Sequence, residues 1–75
     1  MTRDELESAA IYRVTETADG WKIDEGFGDG PMRFEGRTWP TLFGSFELAR
    51  REIQADYGSP IKWYGRGTTR YGLIA

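Results

Sequence analysis

Cysteine and histidine are both missing from this chain of 75 residues. Without thiols and imidazoles it cannot form a disulfide, a Cys/His zinc site or the catalytic centres that depend on these side chains. We therefore expect a protein that is not an enzyme, with no catalytic residue, no metal and no cofactor. The absence of cysteine also favours a reducing, cytoplasmic compartment.

Long apolar runs are missing as well. No stretch approaches the roughly 20 consecutive apolar residues that a membrane-spanning helix needs. The first residues, from Met1 to Glu5, lack the basic and then apolar layout of a signal peptide. We expect a soluble protein that is not exported and has no membrane partner.

Lysine is scarce, since only Lys22 and Lys62 accompany eight arginines. The formal net charge is −2, but residues 1–36 carry nine acids against four bases, and residues 37–75 carry six bases against three acids. Guanidinium groups suit carboxylates, phosphates and aromatic faces. The first half therefore favours a basic partner and the second half a phosphate-bearing one, although an arginine-rich composition also arises without any contact role.

Aromatic residues, in contrast, are plentiful: three Trp, four Tyr and four Phe. Each buries roughly 150–250 Å², so a core can form even in a chain that buries only about 60% of its unfolded surface. No repeat or linker divides the sequence, and residues 1–75 are predicted to form a single domain.

The first half of the chain predicts a short helix followed by strands. Thr2 and Glu5 have the spacing of a capping box, which favours a short N-terminal helix within residues 1–9. Residues 11–36 predict a three-stranded meander whose first turn is Asp19-Gly20. In its second and third strands apolar residues alternate with polar ones, which places on one face Trp21, Ile23 and Phe27, and then Met32 and Phe34.

The second half predicts the main helix and a closing hairpin. Ser45 is a good N-cap, Gly58 a good C-cap, and an apolar stripe runs between them, which predicts a helix over residues 45–57. Residues 60–74 predict a hairpin with a Gly-rich turn. The expected fold is a two-layer α+β domain, in which one main helix covers a mainly antiparallel five-stranded sheet in the order (α)βββαββ.

Acidic residues of the meander form one candidate site. They follow its strands and turns and could present a negative rim to a basic protein surface: Asp24, Glu25, Asp29 and Glu35. The alternative is a solvated face without a partner. Their spacing does not match a calcium loop, and the glycines between residues 26 and 30 lack the strand-loop-helix context of a phosphate loop.

The C-terminal hairpin carries the alternative site. Basic and aromatic residues interleave there, as in sheet surfaces that stack unpaired bases and hold phosphates: Lys62, Tyr64, Arg66, Arg70 and Tyr71. The structural alternative is that Ile61 and Trp63 face the helix while the tyrosines are ordinary strand residues.

Two segments give the chain a family likeness. The long helix opens with Ser45-Phe46-Glu47-Leu48-Ala49-Arg50-Arg51 and is followed by Ile61-Lys62-Trp63-Tyr64. In these two segments the chain resembles small phage- or mobile-element-encoded proteins, including anti-CRISPR inhibitors. The resemblance implies a protein that occludes a larger partner without catalysis, in the cytoplasm of a bacterial host.

Three functional hypotheses follow. The first is a non-enzymatic protein-binding module, an inhibitor that occludes a nucleic-acid-processing complex of the CRISPR type by contacting a basic surface of that larger protein or nucleoprotein. The second is a single-stranded nucleic-acid-binding domain that uses the C-terminal hairpin. The third is a small structural or assembly subunit, and the chain is expected to be a monomer or a homodimer paired through an edge strand.

Overall fold

A computed structural model describes residues 1–28 and 30–75 of the chain. The described residues form two helices and four strands, in the order α1 (Arg3–Ala9), β1 (Tyr12–Thr17), β2 (Gly20–Glu25), α2 (Phe46–Tyr57), β3 (Ile61–Tyr64) and β4 (Thr69–Ile74). The α+β class is thus confirmed. The prediction of five strands is wrong, because the described residues contain four strands. The short helix α1 accompanies the main helix and packs on the sheet.

The four strands form one antiparallel sheet in the order β2-β1-β4-β3. The β1–β2 hairpin closes at Gly20, whose φ of 136° is a conformation that other residues rarely adopt. The sheet places β1 beside β4, from the opposite end of the chain, with Arg13 facing Tyr71 and Thr15 facing Thr69. This long-range pairing determines which side chains meet on each face.

Helix α2 covers one face of the sheet, and most of the core lies between them. The buried residues of this cluster come from β1, β2 and α2: Tyr12, Val14, Trp21, Ile23, Ala49 and Ile53. The helix begins after Ser45, whose hydroxyl accepts a hydrogen bond from the Leu48 amide at 3.2 Å. It ends at Gly58, which has the left-handed φ of 79° that favours glycine at this position.

The opposite face of the sheet, which we call the outer face, is covered in part by α1. A second cluster of buried residues lies there: Leu6, Ala10, Phe34 and Tyr71. The predicted capping box is present, because the Glu5 amide donates to the Thr2 hydroxyl at 3.2 Å and the Thr2 amide donates to the Glu5 carboxylate at 3.1 Å. The fold therefore has a partial third layer that the two-layer expectation lacked.

The predicted third strand around Met32 and Phe34 is absent from the described residues, which form consecutive turns there. The Glu35 amide donates to the Met32 carbonyl at 3.0 Å. The apolar run is short, and Gly36 interrupts it with a φ of 85°. The turns instead bury Phe34 and let Arg33 donate to the carbonyls of Ser8 and Ala10 at 2.6 and 2.8 Å, near the end of α1.

Another segment occupies the edge of β2 that the third strand was expected to fill. Thr38 and Phe43 form isolated antiparallel bridges with Asp24 and Trp21. Phe27, which was placed on the core face of the second strand, lies beyond the end of β2 at Glu25 and is 65% exposed. In the parts of the chain that the structure describes, no helix is long and apolar enough to cross a membrane.

Candidate functional site

Two rows of side chains cross the outer face, and they follow from strand register. Side chains that face each other on paired strands lie on the same side of a sheet. The first row, which we call the buried row, consists of Asp24, Arg13, Tyr71 and Tyr64. The second, which we call the open row, consists of Lys22, Thr15 and Thr69.

The buried row is tied together by ion pairs and hydrogen bonds. Arg13 lies at its centre, with Nη2 3.2 Å from Asp24 Oδ2 and Nη1 3.3 Å from Glu7 Oε2. Thr38 donates to Asp24 Oδ1 at 2.5 Å, and Tyr71 donates to Glu7 Oε1 at 2.8 Å. Asp24 is only 2% exposed, and a buried carboxylate needs such partners. The buried row therefore serves the fold.

Within the buried row, Tyr71 lies under α1, and the pKa of its phenol reflects this enclosure. Burial raises the pKa of the Tyr71 phenol, and the hydrogen bond to Glu7 and the charge of Glu7 raise it further. The nearby Arg3 lowers the pKa of Tyr71 through its hydrogen bond and its charge. Helix α1 thus brings an acid, Glu7, and a base, Arg3, to the outer face near the Tyr71 hydroxyl.

The open row has few internal partners. Lys22 Nζ lies 4.0 Å from Asp24 Oδ2, a long contact, and the Lys22 side chain is 40% exposed. Within the described part of the chain, the hydroxyls of Thr15 and Thr69 make no hydrogen bond. These three side chains are therefore polar groups of the outer face that remain available to a ligand.

The open row forms the floor of a shallow cavity of about 210 Å³. Its lining combines the open row with groups of the buried row and of α1: Arg3, Glu7, Arg13, Thr15, Lys22, Thr69 and Tyr71. Three of these side chains are cationic, one is anionic, and three carry hydroxyls. The composition fits an anionic ligand that accepts hydrogen bonds.

The strand side chains of the outer face carry net positive charge although the chain is acidic. The strand side chains that point to it include Arg13, Lys22 and Lys62 but a single acid, the buried Asp24. The formal net charge of the chain is −2. The tertiary fold therefore concentrates positive charge on one face, where it can attract an anion over several ångströms.

The structure divides the predicted hairpin site between two faces. Lys62, Tyr64 and Tyr71 lie on the outer face, where Lys62 Nζ stands 5.4 Å from the centre of the Tyr64 ring. Arg66 is exposed in the turn between β3 and β4. Arg70 lies on the α2 side, with its guanidinium carbon 4.6 Å from the centre of the Phe46 ring.

The hairpin tyrosines also differ in exposure. Tyr71 is 4% exposed and packs under α1, so its ring is closed to stacking in this conformation. Tyr64 is half-buried and lies at the edge strand. Of the two, Tyr64 is the one that can receive a base.

The predicted acidic site is dispersed. Asp24 is buried in the row described above, and the neighbouring Glu25 accepts a hydrogen bond from the Trp39 indole at 2.6 Å. Glu35 is exposed in the turns after residue 30. Asp29 lies outside the described residues. In the structure Asp24 and Glu25 hold other segments of the chain, which leaves Glu35 as the freely exposed carboxylate among the described members of this set.

A second cavity of about 180 Å³ lies near the end of α2 and is lined by Ile11, Tyr12, Glu25, Gly26 and Tyr57. Burial raises the pKa of Tyr12 to about 12, with contributions from the charges of Asp56 and Glu25. The Tyr12 hydroxyl also donates to Asp56 at 3.4 Å. This cavity has no basic side chain in its lining, and the outer-face cavity is the stronger candidate for an anion. No cluster of metal-binding side chains occurs in residues 1–28 and 30–75.

Sequence reasoning missed the main cationic and hydroxyl groups of the outer face, which are Arg3, Arg13, Thr15, Lys22 and Thr69. Counting charge by halves of the chain hid the basic residues inside an acidic segment. Strand alternation offered a local signal, because residues 13 and 15 share one face of β1 and residues 22 and 24 share one face of β2. The pairing of β1 with β4 had no such signal.

Comparison of this chain with protein-family models, with curated proteins and with solved structures found no match.

Proposed function

We propose that this chain is a non-enzymatic binding module that holds single-stranded nucleic acid on the outer face of its sheet. The observation that carries the proposal is the placement of Lys22 and Lys62, beside the paired Arg13, on one face of an acidic chain that also presents the half-buried ring of Tyr64. Single-strand binders combine cationic groups for the backbone with aromatic rings on which bases stack.

The outer face has the dimensions for a short strand. Lys22 on β2 and Tyr64 on β3 are separated by three strand spacings, which is roughly 14 Å at about 4.8 Å per spacing. At roughly 3.4 Å per stacked nucleotide this distance accommodates about four nucleotides. The open row and Lys62 supply phosphate contacts along this path, and Tyr64 supplies a stacking ring.

The negative net charge of the whole chain limits the affinity of this binding. With a net charge of −2, long-range attraction between the chain and a polyanion is weak. The proposal therefore predicts modest affinity that depends on the outer face alone. It also predicts a strong fall in affinity as salt rises, because neutralised phosphates release counterions.

Fluorescence anisotropy with labelled 12-nucleotide DNA and RNA strands at low salt tests this function. Lys22→Ala and Lys62→Ala are expected to weaken binding, and Tyr64→Ala to weaken it by about fivefold or more, since a stacked base contributes roughly 1–3 kcal/mol. The matched control is Arg51→Ala, which removes the same charge from the exposed side of α2. Absence of binding at low salt, or equal losses in Arg51→Ala, contradicts the proposal.

A second candidate function is the binding of a larger protein, as an inhibitor of the anti-CRISPR type. It is favoured by Phe27 and Met32, each 65% exposed in the segment that follows β2, with the exposed Glu35 nearby in sequence. Large exposed apolar side chains together with acids suit a protein surface with basic and apolar groups. Affinity purification from the source cell tests it: Phe27→Ser with Met32→Ser is expected to lose a partner that the Tyr64→Ala variant keeps.

A further inference from the structure

The cavity on the outer face has room for one chemical group rather than for several nucleotides of a nucleic-acid strand. At about 210 Å³ it is smaller than the roughly 300–1,000 Å³ of pockets that enclose a drug-sized ligand. Arg3 and Glu7 of α1 form one of its walls, while the strand residues Lys22, Thr15 and Thr69 form its floor. A nucleic-acid strand that runs across the sheet into this cavity meets the wall formed by α1, and its path ends there.

We propose that this cavity binds the terminal phosphate of a nucleic-acid strand, which makes the outer face a surface that recognises strand ends. The inference rests on the proposed function and names a subsite within it. Lys22 and Arg3 supply positive charge, and the hydroxyls of Thr15 and Thr69 supply two hydrogen-bond donors side by side on neighbouring strands. A terminal phosphate offers three acceptor oxygens to such donors.

The local charge balance favours a terminal phosphate over an internal one. Glu7 is the acid in the lining of the cavity, and both Glu7 and the neighbouring Asp24 pair with Arg13. Together with Arg3 and Lys22, these groups amount to three cations and two acids, which leaves a net charge of +1 for a ligand. A phosphomonoester carries roughly −1.5 to −2 charges at pH 7, so this positive charge attracts it more strongly than an internal phosphodiester, which carries a single negative charge.

The hydroxyl pair is what separates this site from a generic basic patch. Lysine on a flexible stem attracts any phosphate, but two threonine hydroxyls fixed on paired β-strands act only on a group that reaches the floor of the cavity. Threonine also suits the strands for packing reasons, so valine can replace it without altering the backbone preference. Replacement by valine therefore removes the hydroxyls alone.

The test compares strands that differ only at their ends. Anisotropy is measured with an internally labelled 12-nucleotide strand that carries phosphates at both ends and with the same strand carrying hydroxyls at both ends. The phosphorylated strand is expected to bind about tenfold more tightly, as two or three charge-assisted hydrogen bonds allow. The variant Thr15→Val with Thr69→Val is expected to reduce this ratio severalfold, because the cations remain but the two hydroxyl donors are lost, while Thr41→Val, an exposed threonine outside the cavity, keeps it.

Each outcome has a distinct meaning. Equal affinity for the two strands overturns the terminal-phosphate site and leaves single-strand binding intact. Loss of the ratio in Thr41→Val as well overturns the role of the cavity hydroxyls. If neither strand binds, both single-strand binding and the recognition of strand ends are overturned, and a shift of the amide resonances of Thr15 and Thr69 by inorganic phosphate would then assign the cavity to a small phosphate instead.

Discussion

Asp24 links three segments of the chain through one buried carboxylate. It pairs with Arg13 of β1, accepts from Thr38 at the edge of β2, and stays 2% exposed. Removing its charge leaves these donors without an ionic acceptor, and hydrogen bonds to charged groups contribute roughly 1.5–3 kcal/mol each.

We therefore expect Asp24→Asn to lower the free energy of unfolding by about 1.5–3 kcal/mol. Urea unfolding followed by tryptophan fluorescence measures it. Glu16→Gln, at an exposed position of the same hairpin, is the control and is expected to stay within about 0.5 kcal/mol of the parent. An Asp24→Asn variant as stable as the parent refutes the structural role of this carboxylate.

Ionisation of two tyrosines is expected to destabilise the fold at alkaline pH. Their pKa values are raised from 10.0, to about 12 for Tyr12, mainly by burial, so folding favours the neutral phenols. A raised folded-state pKa contributes stability that is full below the unfolded value and is lost as pH rises through the folded value. The free energy of unfolding is thus expected to fall between pH 10.0 and about 12.

Phenylalanine substitutions identify the groups responsible. In a series of urea titrations at increasing pH, Tyr12→Phe is expected to show a shallower alkaline decline than the parent, since it has no phenol to ionise. Tyr71→Phe is expected to behave in the same direction and also to lose the hydrogen bond to Glu7. If both variants decline as steeply as the parent, ionisation of these phenols is not what destabilises the fold.

At the scale of elements, β4 contains a glycine at a crowded point of the sheet. A Cβ at Gly72 would lie 2.9 Å from Ile61 Cγ2 and 2.9 Å from Trp63 Cη2, because both side chains of β3 fold over it. Overpacking of this kind costs about 1–3 kcal/mol.

Gly72→Ala is accordingly expected to lower the free energy of unfolding by about 1–3 kcal/mol and to change the fluorescence of Trp63. The matched control is Gly44→Ala, where the nearest atom to a new Cβ is Leu48 Cδ1 at 3.9 Å. Equal stability of the two alanine variants contradicts the close packing of Trp63 on β4.

Helix α1 is a short element that needs its cap and its contacts with the sheet. Seven residues are too few for a stable isolated helix. The Thr2 backbone lowers the pKa of Glu5 by hydrogen bonding to its carboxylate, so this contribution is present above the unfolded pKa of 4.5 and is lost as pH falls. Leu6 and Glu7 anchor the helix to the outer face.

Removal of the cap by Thr2→Ala is expected to speed amide hydrogen exchange in α1 by roughly fivefold while β1 and β4 keep their protection. Acidification below pH 4.5 is expected to act in the same direction in the parent. Unchanged exchange in α1 at neutral pH, measured by NMR, contradicts the role of the capping box.

The elements also show what could be predicted from the sequence. Local signals were sufficient for the capping box at Thr2, for the N-cap at Ser45 and for the turn at Gly20, since each acts within a few residues. They failed at Met32 and Phe34, where alternation suggested a strand. There the burial of Phe34 and the bonds from Arg33 to α1 outweighed strand propensity, and both depend on contacts distant in sequence.

At the scale of the whole molecule, the fold sorts charge by face, and that sorting is not visible along the chain. Arg13 and Lys22 lie in a segment that is acidic by count, yet register with β4 places them beside Thr69 and Tyr71. The hairpin residues Lys62 and Tyr64 were predicted as a site from their composition, and they share this face. Which residues complete a site depended on a strand pairing across more than fifty residues.

The salt dependence of single-strand binding is the sharpest test of whether the outer face binds nucleic acid. For single strands the slope of log K against log salt is roughly −0.7 for each neutralised phosphate. Binding at the outer face predicts a measurable slope for the parent, a slope shallower by about 0.7 for Lys22→Ala, and an unchanged slope for Arg51→Ala. A chain that shows no salt-dependent binding, or whose slope changes with Arg51→Ala as much as with Lys22→Ala, contradicts the account.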